Sequence, residues 1–420
     1  MMNAVVAAGA CCECGSCVTV CPHNIIEYVA GRPRQTAKES APFDHCGVSE
    51  RVGCDVCATV CPRLWPREEQ LRDAVFGDDR AYEGIFGVYR HVFVARTRDG
   101  SVLGKAQDGG VVTALLAWAR QEGHVEGAVV AAVGEGDSPC FPTPRLATTV
   151  EEIKASAGSW YTYCPNNLAL RDAKERKLER LAFVGVPCQI TPLRKMAHAD
   201  AGRLQVPGKK PQVISRQIGF LRDPAERVGF SVGLFCTEVF RPELMSEHVA
   251  GRMGIPLDEI DKVNVKGEVR IHRRGGEMAR IPLEEVVRDY QRPACHHCRD
   301  FSAELADISC GGVGTEGATI VVLRTQKGVD IWRAFEASGQ VDVRPIAEHK
   351  KAWNIMLRLA RQQKERLPPG AVRADGDAPA ERRGAPIPGD PGEPAPGEKR
   401  RLPPPPLPEQ GGASPGMSPV

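Results

Sequence analysis

The sequence predicts an α/β protein, α+β overall. A small cysteine-rich module comes first, then a larger mixed-sheet domain, then a disordered Pro-rich tail. Three observations predict this. Eight of the 16 cysteines fall into two spaced runs before residue 62. Short apolar runs then alternate with helix-like segments to about residue 365. From residue 368 to 420 there are 15 of the 34 prolines, many glycines and no aromatic residue. The domains therefore read as 1–70, 71–365 and 366–420, in keeping with a length of 420 residues.

The first run is Cys11-x2-Cys14-x2-Cys17-x3-Cys21-Pro22, and the second is Cys46-x7-Cys54-x2-Cys57-x3-Cys61-Pro62. This is the ligand run of two-cluster, ferredoxin-type iron–sulfur modules, written twice. Cysteines three apart wrap one 4Fe-4S cubane from a tight loop, and the fourth ligates the other cluster. Cluster one is then expected on Cys11, Cys14, Cys17 and Cys61. Cluster two is expected on Cys54, Cys57, Cys21 and Cys46. The longer loop after Cys46 closes at little extra entropic cost, although it makes Cys46 the least secure ligand. Cys12 is a spare in this scheme. Zinc suits a lone Cys-x2-Cys pair better than two complete runs ending in Cys-Pro.

Residues 1–10 have no basic start and no long apolar core, so a cytoplasmic location is expected. A net charge of +2 and 5% aromatic residues argue against nucleic-acid binding. No apolar stretch reaches the ~20 residues that span a bilayer, so no direct membrane insertion is expected. The 42% hydrophobic content is enough for a real core. The tail, with a polyproline run at 403–406, cannot bury enough apolar surface to offset its ordering entropy.

In the middle, residues 111–120 read as a helix after a Gly-rich turn, and 127–133 as a buried strand. A helix starts at 149–155, with Glu151 and Glu152 in its first turn. Residues 181–184, 231–235 and 318–324 read as strands and 328–338 as a helix. Three strands, 260–265, 269–272 and 277–281, are separated by Gly-rich turns. The stretch 203–227 is basic and irregular.

Four further cysteines stand at telling places. Cys188 and Cys236 follow predicted strands, where α/β folds place ligands. Cys295 and Cys298 form Cys295-His296-His297-Cys298. Four thiolates are enough for a third cubane, and a structural zinc or buried inert thiols stay open at this point. Inert burial is the expectation for Cys140, Cys164 and Cys310.

Several motifs in order resemble the beta-subunit family of coenzyme F-420 hydrogenases and dehydrogenases. They are Ala106-Gln107-Asp108-Gly109-Gly110-Val111-Val112-Thr113, Ser156-Ala157-Gly158-Ser159, Phe183 through Cys188-Gln189, Gly233 through Cys236 to Glu238, and Cys298-Arg299-Asp300-Phe301-Ser302 through Asp307-Ile308-Ser309 to Gly311-Gly312-Val313-Gly314. The resemblance implies a flavin-binding domain with FAD and its own 4Fe-4S cluster on Cys188, Cys236, Cys295 and Cys298. It also implies hydride exchange with coenzyme F-420 and, as partner, a hydrogenase, a dehydrogenase or a ferredoxin. The chain departs from the pattern at Cys310.

With that resemblance, Gln107, Asp108, Gly109, Gly110 and Thr113 are expected to hold FAD phosphates at a helix N-terminus. Ser156, Gly158 and Ser159, and Gly311, Gly312 and Gly314, form two further small-residue turns against the flavin. The coenzyme carries a phosphate and a glutamate tail, so it needs cations; Lys266 and Arg324 are the candidates, and Arg145 a weaker one. Catalytic residues in the strict sense are unknown, since no hydrolytic set stands out. The leading function is a flavin and iron–sulfur oxidoreductase subunit that uses coenzyme F-420. The alternatives are a ferredoxin-dependent reductase of an organic substrate and an electron-transfer adaptor without hydride chemistry.

Overall fold

In a computed structural model of the chain, residues 1–35, 54–77, 82–199 and 210–367 are described. Cys46 and the tail beyond residue 367 lie outside them.

The strands are, in chain order, β1 (Ile26–Val29), β2 (Arg32–Gln35), β3 (Tyr82–Gly84), β4 (Gly87–Tyr89), β5 (His91–Thr97), β6 (Gly127–Ala132), β7 (Thr143–Ala147), β8 (Leu181–Gly185) and β9 (Val228–Leu234). There follow β10 (Ile260–Val265), β11 (Glu268–Arg273), β12 (Met278–Pro282), β13 (Ile308–Gly311), β14 (Thr319–Leu323) and β15 (Val341–Pro345). Eight of them form the main sheet, in the order β15-β5-β14-β13-β9-β8-β6-β7. Its centre, β6, β8, β9 and β13, is parallel, and its flanks are antiparallel.

The mixed sheet follows from the side-chain alternation of strands covered on both faces. Phe93, Ala128, Ala182, Val184, Val232, Val321 and Leu323 point to one face. There the helices Val111–Gln121 and Gln326–Ala337 cover them, through Leu115, Trp118, Trp332 and Phe335. Val129, Leu181 and Phe183 point the other way, towards the helix Pro187–Ala197 and the cysteine module. Val92, Val94, Ile320 and Val322 meet the helix Lys350–Lys364 on that side.

Local signals start the helices. Thr149 accepts a hydrogen bond from the Glu152 amide, and Glu152 accepts from the Thr149 amide, a capping box for Val150–Ala155. The Thr325 hydroxyl accepts from the Gly328 amide and starts Gln326–Ala337. The antiparallel sheet β10-β11-β12 stands apart from the main sheet, with Leu283–Tyr290 and Leu244–Arg252 over it around Val263, Ile271 and Met245.

Two expectations are corrected. The boundary after residue 70 falls inside the helix Glu68–Phe76, and Cys17, Val18, Val56 and Leu71 share one core with Phe183, Ile190 and Met196. The apolar side of the module is too small to close on itself, so it closes on the main domain. The stretch read as irregular contains the helix Pro211–Glu226. Leu221 and Ala225 are buried on its inner side, while its basic residues face outward and mask the helical period.

Candidate functional site

The two cysteine runs fold as a repeat. Cys17 lies on the short helix Ser16–Thr19 and Cys57 on Val56–Val60. Thr19 donates to the Gly15 carbonyl, and Thr59 donates to the Asp55 carbonyl in the same way. Gly15 has φ +81°, and a Cβ there would lie 2.6 Å from the Leu168 side chain, so the loop needs glycine. Burial holds the Cys17 thiol well above its usual pKa; the next causes are Cys11, Cys61 and Cys57. Cys61 and Cys57 of the second run both lie close enough to Cys17 to act on it electrostatically. Cys12 is not peripheral: it is 3% exposed and packs with Cys14, Ala294 and Cys188.

Cys188 and Cys236 meet because β8 and β9 are parallel neighbours, and both thiols lie just past their C-terminal ends. Cys188 stands in the first turn of the helix Pro187–Ala197, and the neighbouring Cys12 thiol and burial hold its pKa well above the usual value. The turn Pro293–His297 brings up Cys295, and Cys298 follows it. All four thiols, with Cys12, line one small cavity. Their protein partners are few: Cys298 donates to the Asp300 carbonyl at 3.4 Å, Cys295 faces the Val239 carbonyl at 3.9 Å, and Tyr163 Oη lies 3.8 Å from Cys188 Sγ. Among the described residues no three His, Cys, Asp or Glu side chains are gathered tightly enough for a single metal ion. Thiols ringing a cavity suit a larger group.

Cations surround this cavity. Arg63 donates to the Ala10 (3.2 Å), His297 (2.9 Å) and Ala294 (2.7 Å) carbonyls. It thereby ties the second cysteine run to the Cys295–Cys298 loop. Arg292 donates to the Cys12 carbonyl and to Glu13, and lies over the Tyr163 ring at 3.9 Å. Lys195 donates to the Cys61 (2.6 Å) and Leu64 (2.8 Å) carbonyls; burial pulls its pKa down to about 8. Arg366 donates to the Thr237 and Cys295 carbonyls and pairs with Glu238 at 3.1 Å. Cations bound mainly to neutral carbonyls leave net positive charge beside the thiols, which favours an anionic group there.

The other sequence-predicted residues sort into two groups. Lys266 Nζ donates to Asp108 Oδ1 at 2.8 Å, to the Thr315 carbonyl at 3.2 Å and to the Gly312 carbonyl. It joins the 107–113 loop to the 311–314 turn. Lys262, on β10, donates to the Ala106 carbonyl, while Lys266 follows the end of that strand. Asn264 lies between them, and its Oδ1 is buried without a hydrogen-bond partner among the described residues. Gln107 donates to Tyr161 Oη. Tyr161 and Tyr163 both belong to the segment after Ser156, Gly158 and Ser159. That segment runs from the Asp108 junction to Cys188, and Cys236 is near enough to raise the Tyr161 pKa, after burial and Asp108.

The glycines have reasons of their own. A Cβ at Gly109 would lie 2.7 Å from the Ala95 carbonyl; Gly110 has φ +66°. Cβ atoms at Gly311, Gly312 and Gly314 would strike Phe235, Asp108 and Ala352. Close packing thus explains these glycines without a ligand, whereas Gly158, at φ +122°, has only the Lys105 carbonyl nearby. Ser156 caps its helix by donating to the Ile153 carbonyl. Thr113 lies on the helix that follows Gly110.

Arg324 is corrected. It is 1% exposed and donates to the Val88 and Ser302 carbonyls and to the Ser309 and Ser302 hydroxyls. Burial lowers its pKa to about 10. A guanidinium enclosed by its own fold does not meet a coenzyme tail. Arg145 pairs with Asp137 at 2.7 Å. Cys140 and Cys310 are pushed up to about 12 by burial, as inert thiols should be.

Sequence reasoning missed Arg63, Arg292, Lys195, Lys262, Tyr161 and Tyr163. Proximity to a cysteine run or a strand end marked some of them: Arg63 follows Cys61-Pro62, and Arg292 precedes Cys295 by three.

Known proteins resemble this chain. Residues 92–171 match "Coenzyme F420 hydrogenase/dehydrogenase, beta subunit N-term", and residues 178–349 match the corresponding C terminus. The coenzyme F420 hydrogenase subunit beta of Methanosarcina barkeri is 34% identical over 283 residues, 67% of this chain and 90% of that protein. The coenzyme F420-dependent sulfite reductase of Methanocaldococcus jannaschii is 31% identical over 373 residues, 87% of this chain and 51% of that protein. A solved chain of the F420-reducing NiFe hydrogenase complex of Methanosarcina barkeri superposes with a TM-score of 0.58. It is 33% identical and covers 67% of this chain and 91% of its own. The α/β fold with thiols at its strand ends is that of an oxidoreductase subunit. More narrowly, the chain belongs to the coenzyme F-420 hydrogenase/dehydrogenase beta-subunit family.

Proposed function

We propose that this protein exchanges a hydride between coenzyme F-420 and FAD and relays single electrons through 4Fe-4S clusters to or from a partner complex. Its enzyme class is coenzyme F-420-dependent oxidoreductase of the hydrogenase/dehydrogenase beta-subunit type. The observation that carries the reading is the convergence of Cys188, Cys236, Cys295 and Cys298 on one cavity that Cys12, between Cys11 and Cys14 of the first run, also lines. Two relay stations would then share a wall.

FAD supplies conversion between two-electron hydride chemistry and one-electron transfer. The residues that would hold it are Gln107, Asp108 and the amides at the start of Val111–Gln121, with Lys262, Asn264 and Lys266 on the facing strand. The unpartnered Asn264 Oδ1 supports a polar ligand at this junction. Its two lysines suit phosphate or carboxylate groups. Tyr161 and Tyr163 link this junction to the thiol cavity within three residues of chain. Cys188, Cys236, Cys295 and Cys298 would hold one cubane; Cys11, Cys14, Cys17 and Cys61, and Cys21, Cys54 and Cys57 with Cys46, would hold the other two. Arg63, Arg292, Arg366 and Lys195 stabilise the negative charge of thiolate-bound clusters. Among the described residues no helix is long and apolar enough to cross a membrane.

The test is anaerobic oxidation of reduced coenzyme F-420 with a viologen dye by the FAD-reconstituted protein. The reading expects turnover that needs FAD. No turnover with flavin and clusters shown intact would overturn it.

A further inference from the structure

A second pocket, of about 280 Å³, lies beside the cysteine-lined cavity and is lined by Arg63, Arg67, His297, Arg299, Arg366 and Leu367, among others. Arg63 lines both, so the pocket and the cavity adjoin at this side chain. The charge is lopsided. Arg63 donates to main-chain carbonyls and Arg299 Nε to the Lys364 carbonyl at 2.8 Å, neither bond cancelling a charge. Arg67 pairs with Glu68 and Arg366 with Glu238, each at 3.1 Å. Four guanidinium groups therefore face two paired carboxylates. Trp65, outside the pocket lining but on the segment between its lining residues Arg63 and Arg67, is 49% exposed. An exposed tryptophan flanked by arginines has the composition of a protein-interface hot spot.

We propose that this face docks an acidic electron-transfer protein and that the Arg63 wall is where electrons cross to it. The proposal rests on the cavity thiols holding a cluster, as in the function argued above. Tunnelling falls steeply with distance, and a partner seated here would lie against Arg63 and Arg366, which bond to the Ala294, Cys295 and His297 carbonyls of the Cys295–Cys298 loop. The electron count balances. Oxidation of one reduced coenzyme F-420 releases two electrons and two protons. The electrons leave in two single transfers that reduce two oxidised partner molecules, and the protons go to water. Positive charge on the rim steers an acidic partner and gives a salt-dependent association rate.

The experiment uses the full-length, anaerobically purified holoprotein and an acidic two-cluster ferredoxin as probe. Binding is measured by interferometry at two ionic strengths, beside F-420-linked viologen reduction, which needs no docking. Arg67→Glu with Arg299→Glu should weaken ferredoxin binding at least ~10-fold and flatten its salt dependence, with viologen reduction unchanged. Trp65→Ala should weaken binding while keeping the salt dependence. Arg299→Gln gives a milder charge change should the double variant misfold. Ferredoxin binding that is undetectable, or unchanged by all three variants, overturns the proposal. So does binding of citrate or inorganic phosphate without ferredoxin, which would make this a small-anion pocket. Ferredoxin binding that responds to the variants, in a protein without viologen activity, supports the docking face and counts against the hydride chemistry alone.

Discussion

The cysteine-lined cavity and the Asp108–Lys266 junction lie at the two ends of one short segment, yet they are built on opposite plans. At the cavity, thiols make few and long protein contacts, and the surrounding cations bind mostly neutral carbonyls. At the junction, Lys266 is matched by a carboxylate and two carbonyls, and only Asn264 Oδ1 is left over. The first arrangement leaves room in its hydrogen bonding for the anionic cluster proposed above. The second is stable by itself, so a ligand there has to compete with bonds already made. This difference decides how each site should respond to substitution.

The largest effect is expected at the cavity. Cys188→Ala removes a ligand that no nearby polar group replaces. Iron content should fall by roughly a third, one cubane of three, and F-420-linked viologen reduction by ~100-fold or more, while FAD stays bound. Iron analysis and flavin absorbance check this. An unchanged iron count would show that the cavity is not a cluster site and would erase the contrast with the junction.

Arg324 tests the opposite extreme, a cation wholly enclosed by the fold. Arg324→Met leaves the Val88 and Ser302 carbonyls and two serine hydroxyls without their donor. A loss of about 3 kcal/mol in urea unfolding is expected, with the KM for reduced coenzyme F-420 unchanged in the folded protein. A raised KM at unchanged stability would return Arg324 to the coenzyme site.

The two sites were not equally legible in the sequence. Cysteine ligation demands one residue type at fixed spacings, so Cys11 to Cys21 and Cys54 to Cys61 could be read directly. Cys188 and Cys236 could be placed because apolar strands end just before them. The arginines at the cavity could not, because their role is set by which carbonyls the fold brings near: Arg63 reaches Ala294 across 231 residues of sequence. Arg324 and Lys266 look alike in sequence, both being basic residues beside apolar strands. Only burial tells them apart. Among the strands, β8 and β14 were legible as unbroken apolar runs, whereas the edge strands β7 and β15 were not, since Pro144, Arg145, Asp342 and Arg344 interrupt the pattern.

On the cavity side, Asp300 gives a pH test. Burial pushes its carboxyl up to about 7, Glu304 adds to this and Lys364 opposes it. A raised folded pKa means that the fold prefers the protonated acid. Its stabilising contribution is complete below the unfolded value of 3.8 and is lost as pH rises through about 7. Stability should therefore fall by on the order of 2 kcal/mol between pH 5 and 8, less than the full shift implies because Lys364 and solvent relax around the charge. Asp300→Asn keeps an acceptor for the Glu304 amide and should flatten that decline. A variant with the wild-type pH profile would place the titration elsewhere.

The junction should give the smallest effect, and the most informative one. Lys266→Met removes one of the two lysines at the junction, and Lys262 stays bound to the Ala106 carbonyl. Were the junction a coenzyme or flavin phosphate site, the KM for reduced coenzyme F-420 or the FAD dissociation constant should rise about tenfold, about 1.4 kcal/mol, with kcat little changed. Burial already raises the Asp108 pKa despite the lysine, so losing that lysine should raise it further. Asp108→Asn added to Lys266→Met should then restore stability without restoring the KM. A Lys266→Met protein that loses stability but binds both molecules normally would make the junction a structural clasp like Arg324. The coenzyme site would then have to be sought where Gly158 leaves the backbone open.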